Sequence, residues 1–131
     1  MTAFDTSAAF SGFSVDDIEA ARTFYGDTLG LQVTSDSMGF LDIHLPQGGM
    51  ILVYAKPDHT PASFTILNFP VADVEAAVDD LNARGVVTKI YADPDFGTDE
   101  KGIAHGGPGR GPDIAWFTDP AGNVLSVLAT R

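Results

Sequence analysis

"FSVDDIEAA" at residues 13–21 returns as "FPVADVEAA" at residues 69–77. Six of the nine positions are identical, and a seventh exchanges Ile18 for Val74. The copies stand 56 positions apart in a chain of 131 residues. Such spacing points to two copies of one unit of roughly 55–60 residues, too few for a solenoid.

Each copy reads as a strand that runs into a helix. Ser11, Phe13 and Val15 alternate with Phe10, Gly12 and Ser14, while Leu67, Phe69 and Val71 alternate with Ile66, Asn68 and Pro70. Period two is the signature of a strand. Asp17 and Asp73 then stand where an N-cap carboxylate accepts from free backbone N–H groups. Glu19 and Glu75 occupy the first turn, where the helix dipole favours an anion. Apolar residues follow at helical spacing, Ile18, Ala21, Tyr25 and Leu29 in one copy and Val74, Ala77, Val78 and Leu81 in the other. Gly30 and Gly85 are C-cap candidates. Capping accounts for the repeated acids, which leaves no reason to assign them a catalytic role.

Three strands are expected after each helix. In the first half they are residues 31–35, 40–45 and 50–56; in the second, residues 87–91, 114–118 and 124–129. "DPAGN", residues 119–123, has the turn residues of a hairpin between the last two. Each half is thus βαβββ. Residues 92–113, "ADPDFGTDEKGIAHGGPGRGPD", form a connection with six of the 14 glycines. A connection of that length is expected to be functional or mobile, here as a lid over a ligand held against Trp116, Tyr54 and Phe10.

Seven Lys and Arg against 18 Asp and Glu give a formal charge of −11. That balance argues against a nucleic-acid partner and favours a neutral or cationic small molecule. The absence of cysteine excludes disulfides and thiol chemistry. No segment approaches a membrane span, and the N-terminus lacks a basic leader, so a cytoplasmic protein without membrane contact is expected.

"VDDIEAARTFYGDTLGL", residues 15–31, and "WFTDPAGNVLSV", residues 116–127, resemble the vicinal oxygen chelate superfamily of glyoxalases, bleomycin resistance proteins and extradiol dioxygenases. The resemblance covers residues 8–130. It implies an α+β fold of two tandem βαβββ units, 8–56 and 63–130, forming curled half-barrel sheets with helices on the convex side. The whole of 1–131 is then one domain of this type, commonly paired as a homodimer. Enzymes of the superfamily hold a divalent metal on their first and last strands. Transferred onto this chain, those positions are Phe10, Leu52, Ile66 and Ser126. None supplies the carboxylate, imidazole or thiolate that such a cation needs, so no metal and no other cofactor is expected.

Strand alternation places Phe10, Gly12, Ser14, Leu52, Tyr54, Ile66, Asn68, Trp116 and Ser126 on the cleft side. Of these, Phe10, Leu52, Tyr54, Ile66, Asn68, Trp116 and Ser126 form the expected ligand site. Phe13, Val15, Leu67, Phe69, Leu125 and Val127 fall beneath the helices. His44 shares a strand face with Asp42 and is read as a rim residue or a cleft base. His59 reads as a solvated linker residue, and His105 and Arg110 as loop residues able to close on a ligand. The expected function is binding and sequestration of a small molecule in an apolar cleft. The alternatives are a glyoxalase-type lyase or dioxygenase with its metal at other positions, and a metal-free enzyme using His44 or Tyr54.

Overall fold

Asp17 opens the first helix: its Oδ1 accepts from the amides of Glu19 and Ala20, each at 3.1 Å. Asp73 opens the second in the same way through Ala76 N at 3.1 Å. Both caps have extended backbone angles, as N-caps do. The computed structural model describes residues 3–92 and 97–130. It divides into two compact units, Met1–His59 and Thr60–Arg131.

The first unit contains β1 (Ser11–Val15), α1 (Ile18–Arg22), a π-helical continuation (Thr23–Thr28), β2 (Gln32–Ser35), β3 (Leu41–His44) and β4 (Met50–Ala55). Its sheet runs β1-β4-β3-β2, with β1 and β4 parallel and the other pairs antiparallel. The second contains β5 (Thr65–Val71), α2 (Val74–Ala83), β6 (Ile103–Ala104), β7 (Ile114–Thr118) and β8 (Val124–Ala129). Its sheet runs β5-β8-β7-β6, again with only the first pair parallel. Two mixed sheets, each with its own helix, make the α+β fold that the resemblance implied. Pro70 fits because β5 is an edge strand with one ladder neighbour.

One face of each sheet is dry. In the first unit Val15, Leu41, Ile43 and Val53 are buried together with Ala21 and Tyr25 of the helix, and Phe13 meets the Tyr25 ring at 5.7 Å. In the second, Ala115, Phe117, Leu125 and Val127 are buried with Val74, Val78 and Leu81 of α2, and Phe69 stacks on Phe117 at 6.4 Å. Burying one such side chain contributes about 1.5–3 kcal/mol. These faces hold the residues that alternation placed under the helices.

Three expectations need correction. The first helix keeps α geometry only as far as Arg22, then widens: the amides of Leu29 and Leu31 reach back to the carbonyls of Phe24 and Tyr25. Gly26 weakens the α form at that point, and the wide turn leaves Tyr25 fully buried. Residues 87–91 are not a ladder strand. Val86 and Thr88 are buried and Val87 is exposed, so the alternation is real, but side chains make the connections. Thr88 Oγ1 donates to the carbonyl of Lys101 at 2.7 Å, and Lys89 Nζ donates to Thr98 Oγ1 at 2.6 Å. The edge position belongs instead to β6, inside the long connection, where Ile103 is 1% exposed against β7.

The described part of that connection is therefore built rather than loose. Thr98 bridges to Ala104, Gly107 bridges to Gly111, and Asp99 Oδ1 accepts from the amides of Lys101 and Ile103. The lid expected over 92–113 includes residues 93–96, which lie outside the described residues. The closing hairpin is as read: Gly122 has φ +88, Asp119 Oδ1 accepts from Ala121 N and Asn123 N, and Asn123 Nδ2 donates to Asp119 Oδ2 at 3.0 Å.

Candidate functional site

The faces opposite the helices carry Leu52 and Tyr54 in the first unit and Asn68, Ser126 and Trp116 in the second. In the first unit, strand pairing sets Gly12 beside Leu52 and Leu52 beside Asp42. Ser14 sits beside Tyr54, and His44 lies between Gln32 and Met50. Leu52, Tyr54, Asp42 and His44 are all half-buried. His44 Nε2 is 2.8 Å from Thr34 Oγ1, a contact at the outer end of this face. Phe10 precedes β1 and is 60% exposed, so the ladder does not fix its direction.

Sequence reading missed His59. Its Nδ1 lies 2.7 Å from Ser14 Oγ, and the ring is half-buried rather than solvated. The reason is topological. β4 is the parallel neighbour of β1, Lys56 N donates to Val15 O, and the turn from Lys56 to His59 then folds back on the face that Ser14 occupies. The βαβββ pattern alone carried this signal, because it obliges the last strand of a unit to lie against its first.

In the second unit, Asn68 pairs with Ser126, and Ser126 pairs with Trp116 on its other side. These three residues thus occupy one face of three adjacent strands. Ser126 is fully buried and Asn68 is exposed, with 2.5 Å between Ser126 Oγ and Asn68 Oδ1. Trp116 is half-buried, and the Tyr91 ring meets it edge-on at 5.3 Å and 80°. Ile66 falls where the β5 register shifts between Thr65 and Leu67, and it is half-buried.

Next to this face, His105 joins two carboxylates. Its Nε2 is 2.8 Å from Asp99 Oδ2 and its Nδ1 is 3.7 Å from Asp113 Oδ2. The hydrogen bond that the ring donates to Asp99 leads in raising the His105 pKa above its ordinary 6.5, with the charges of Asp99 and Asp113 adding to it. Desolvation opposes the charge on Asp99, but the Ile103 amide, His105 and the Lys101 amide together hold its carboxyl below the usual range. Lys101 is raised, chiefly by its hydrogen bond to Asp79, and Glu75 stands within 3.7 Å. Arg110 is exposed in the turn that Gly107 and Gly111 close.

Among the described residues no group of three or more His, Asp or Glu side chains is placed to hold a metal ion. Nor, among them, is any helix long and apolar enough to cross a membrane.

Solved structures share this fold. A glyoxalase/dioxygenase from Nostoc punctiforme superposes with a TM-score of 0.64 at 17% identity, covering 100% of this chain and 96% of that one. TnmS3, an antibiotic binding protein from Streptomyces sp. CB03234, gives 0.63 at 24% identity with both chains covered completely. A superfamily member from Sphaerobacter thermophilus DSM 20745 gives 0.64 at 20%, covering 96% of this chain and 100% of its own. No curated protein sequence matches the chain. Duplicated βαβββ topology, paired Asp caps and the "DPAGN" hairpin agree with a sequence match over residues 8–127, by which the chain belongs to the Glyoxalase/Bleomycin resistance protein/Dioxygenase superfamily.

Proposed function

We propose that this protein binds and sequesters a small molecule on its open sheet faces, in the manner of a bleomycin resistance protein, and does so without a metal. One observation carries the reading: the chemistry of Phe10, Leu52, Ile66 and Ser126, the positions where the superfamily resemblance would put metal ligands. Phenyl and aliphatic groups donate no electron pair, and a neutral hydroxyl is a poor lone ligand for a divalent cation. The Ser126 hydroxyl is moreover committed to Asn68. A divalent ion does not fit this donor set. What remains is aromatic and apolar surface with a few polar groups, the usual make-up of a small-molecule site. The antibiotic-binding description of TnmS3, whose fold this chain shares, supports the same reading.

The proposal includes a cytoplasmic homodimer. β1 and β5 each pair on one side only within their units, and Phe10 and Phe64 are exposed at 60% and 68%. A second copy would cover such edges and rings. Light scattering at micromolar concentration is expected to give twice the chain mass, and a monomer would overturn this part.

Elemental analysis of purified protein, paired with a thermal-shift screen of metals and of planar organic compounds, tests the function. The expected result is no stoichiometric metal, no stabilisation by metals, and a clear shift with some of the compounds. A ligand at a hundred times its Kd stabilises the native state by about 2.7 kcal/mol, well within reach of the assay. About one zinc, nickel, iron or manganese per chain, with melting raised by that metal, would overturn it.

A further inference from the structure

Asn68 has two polar ends, and the structure shows which one faces out. Ser126 is 0% exposed, and its Oγ lies 2.5 Å from Asn68 Oδ1. A buried hydroxyl proton left without an acceptor is costly, so such protons are donated. The pairing gives this one to Asn68 Oδ1, and no buried side-chain polar atom is left unsatisfied among the described residues. Rotating the amide by half a turn would bring Nδ2 to Ser126. The hydroxyl would then accept, and its own proton would lose that partner. Ser126 therefore sets the orientation of Asn68. With the carbonyl oxygen turned to Ser126, the amide NH2, which carries two donors, is left for the exposed side.

Those donors share a face with Trp116. Asn68, Ser126 and Trp116 lie on successive strands β5, β8 and β7. At about 4.8 Å per strand, the backbones of Asn68 and Trp116 are roughly 10 Å apart, the reach of a fused tricyclic ring system. Tyr91 meets the indole edge-on and helps to hold it. An indole supplies aromatic contact area, and an amide NH2 supplies a neutral donor. The formal charge of −11 works against an anionic acceptor such as a carboxylate.

We infer that this face selects neutral planar aromatic compounds with a carbonyl oxygen at the ring edge. The oxygen accepts from Asn68 Nδ2 while the ring contacts Trp116. Ser126 is a positioning residue, acting through Asn68. The inference rests on the small-molecule reading above and deepens it by naming a ligand class.

Three probes with one tricyclic frame separate the possibilities: 9-fluorenone, whose bridge is a carbonyl acceptor; fluorene, whose bridge is a methylene; and carbazole, whose bridge is an N–H donor. Calorimetric titration is expected to show fluorenone bound roughly five- to tenfold tighter than the other two, the value of one net hydrogen bond. Trp116, the only tryptophan, reports by fluorescence where each probe sits. Asn68→Asp replaces the donors by acceptors, so carbazole is expected to bind at least as well as fluorenone. Ser126→Ala frees the amide to turn: the preference for fluorenone over fluorene should fall to about twofold. That loss of selectivity, read as the ratio of the two affinities, is something a merely structural role would not produce, and melting curves check that both variants fold. If the parent binds all three probes equally and Asn68→Asp changes nothing, the inference is overturned while small-molecule binding stands. If the parent binds none of them, the inference falls, and the reading of this face as a ligand site falls with it.

Discussion

At the centre of each open sheet face, three neighbouring strands contribute one residue apiece. In the first unit they are Gly12, Leu52 and Asp42; in the second they are Asn68, Ser126 and Trp116. The strands correspond one to one, β1 with β5, β4 with β8 and β3 with β7, but the chemistry does not. A hydrogen at Gly12 corresponds to an amide at Asn68, and a carboxylate at Asp42 corresponds to an indole at Trp116. The faces under the helices do the opposite: Ile43 and Phe117, Ile51 and Leu125, Val53 and Val127 are all apolar and all buried. Duplication has kept the side that holds each unit together and let the open side diverge. Recognition is then expected to be unequal, with the second unit supplying the aromatic contact and the oriented donor.

The conserved side offers the largest effect. Phe117→Ala is expected to cost about 3–5 kcal/mol and Ile43→Ala about 2–5 kcal/mol in urea unfolding. Both residues are at most 1% exposed, and a cost below about 1 kcal/mol in either unit would break the equivalence of the two cores. The diverged side offers the next. Trp116→Ala should weaken fluorenone binding by about 1–3 kcal/mol, the scale of one large side chain's burial, while Asp42→Ala at the corresponding position leaves it within about twofold. Calorimetry on both variants decides the matter; equal losses would erase the expected difference between the two faces.

What could be read from the chain divides along the same line. The repeat, the Asp17 and Asp73 caps, the Gly30 and Gly85 helix ends and the "DPAGN" hairpin are local patterns, and they were legible because neighbours in sequence make them. Alternation also separated the buried residues Val15, Leu125 and Val127 from Ser14 and Asn68 on the other side, since period two needs no knowledge of partners, but Phe10 and Ile66 lie outside the regular ladder. The edge strand of the second unit was not legible. The run at 87–91 looks more like a strand than Ile103–Ala104 does, yet the pairing of Ile103 with Ala115 depends on a fold-back that composition does not announce. The contact of His59 with Ser14 spans 45 residues and that of Ser126 with Asn68 spans 58. Alternation put Asn68 and Ser126 on the same face, but only the buried hydroxyl says which way the amide turns.

The edges of the two sheets give a further contrast. β2 follows its helix directly after Gly30, whereas β6 reaches its place by a close approach at Gly102. That residue has φ +89, and a Cβ there would overlap the carbonyl oxygen of Thr88. Gly102→Ala therefore combines a strained backbone with a backbone collision, and about 1–3 kcal/mol is expected to be lost. Gly39→Ala, in the turn before β3 of the first unit, has a similar φ of +87 with open space around it, so it should cost less. Thermal melting of the two variants ranks them, and a Gly102→Ala protein as stable as Gly39→Ala would remove the close approach as the reason for glycine.

The smallest expected effect depends on pH. In the first unit the turn into β3 is fastened by Asp36, whose Oδ1 accepts from the amides of Met38 and Phe40, and no histidine takes part. In the second, the segment around β6 is fastened by His105 between Asp99 and Asp113. The His105 pKa is raised by the Asp99 hydrogen bond first and by the neighbouring charges after it. A raised pKa means that the folded form binds the proton more tightly than the unfolded chain. The contribution of His105 is accordingly full below about pH 6.5 and is lost as pH rises through the raised value. Asp99 is depressed, so its own contribution is present above the ordinary carboxylate range and is lost as pH falls through the lowered value. The clasp is strongest between those two limits. His105 is 58% exposed, so water screens the pair and the effect on global stability is small. It should be visible locally by NMR. The His105 ring is expected to titrate above 6.5, and the Gly106 amide, bonded to Asp113 Oδ1 at 2.7 Å, should shift with it. The Met38 and Phe40 amides should stay still over the same range. His105→Gln is expected to abolish the Gly106 transition while leaving the Met38 amide unchanged. A ring that titrates at or below 6.5 would show that the two carboxylates do not hold it in solution, and the edges of the two units would then differ in path alone.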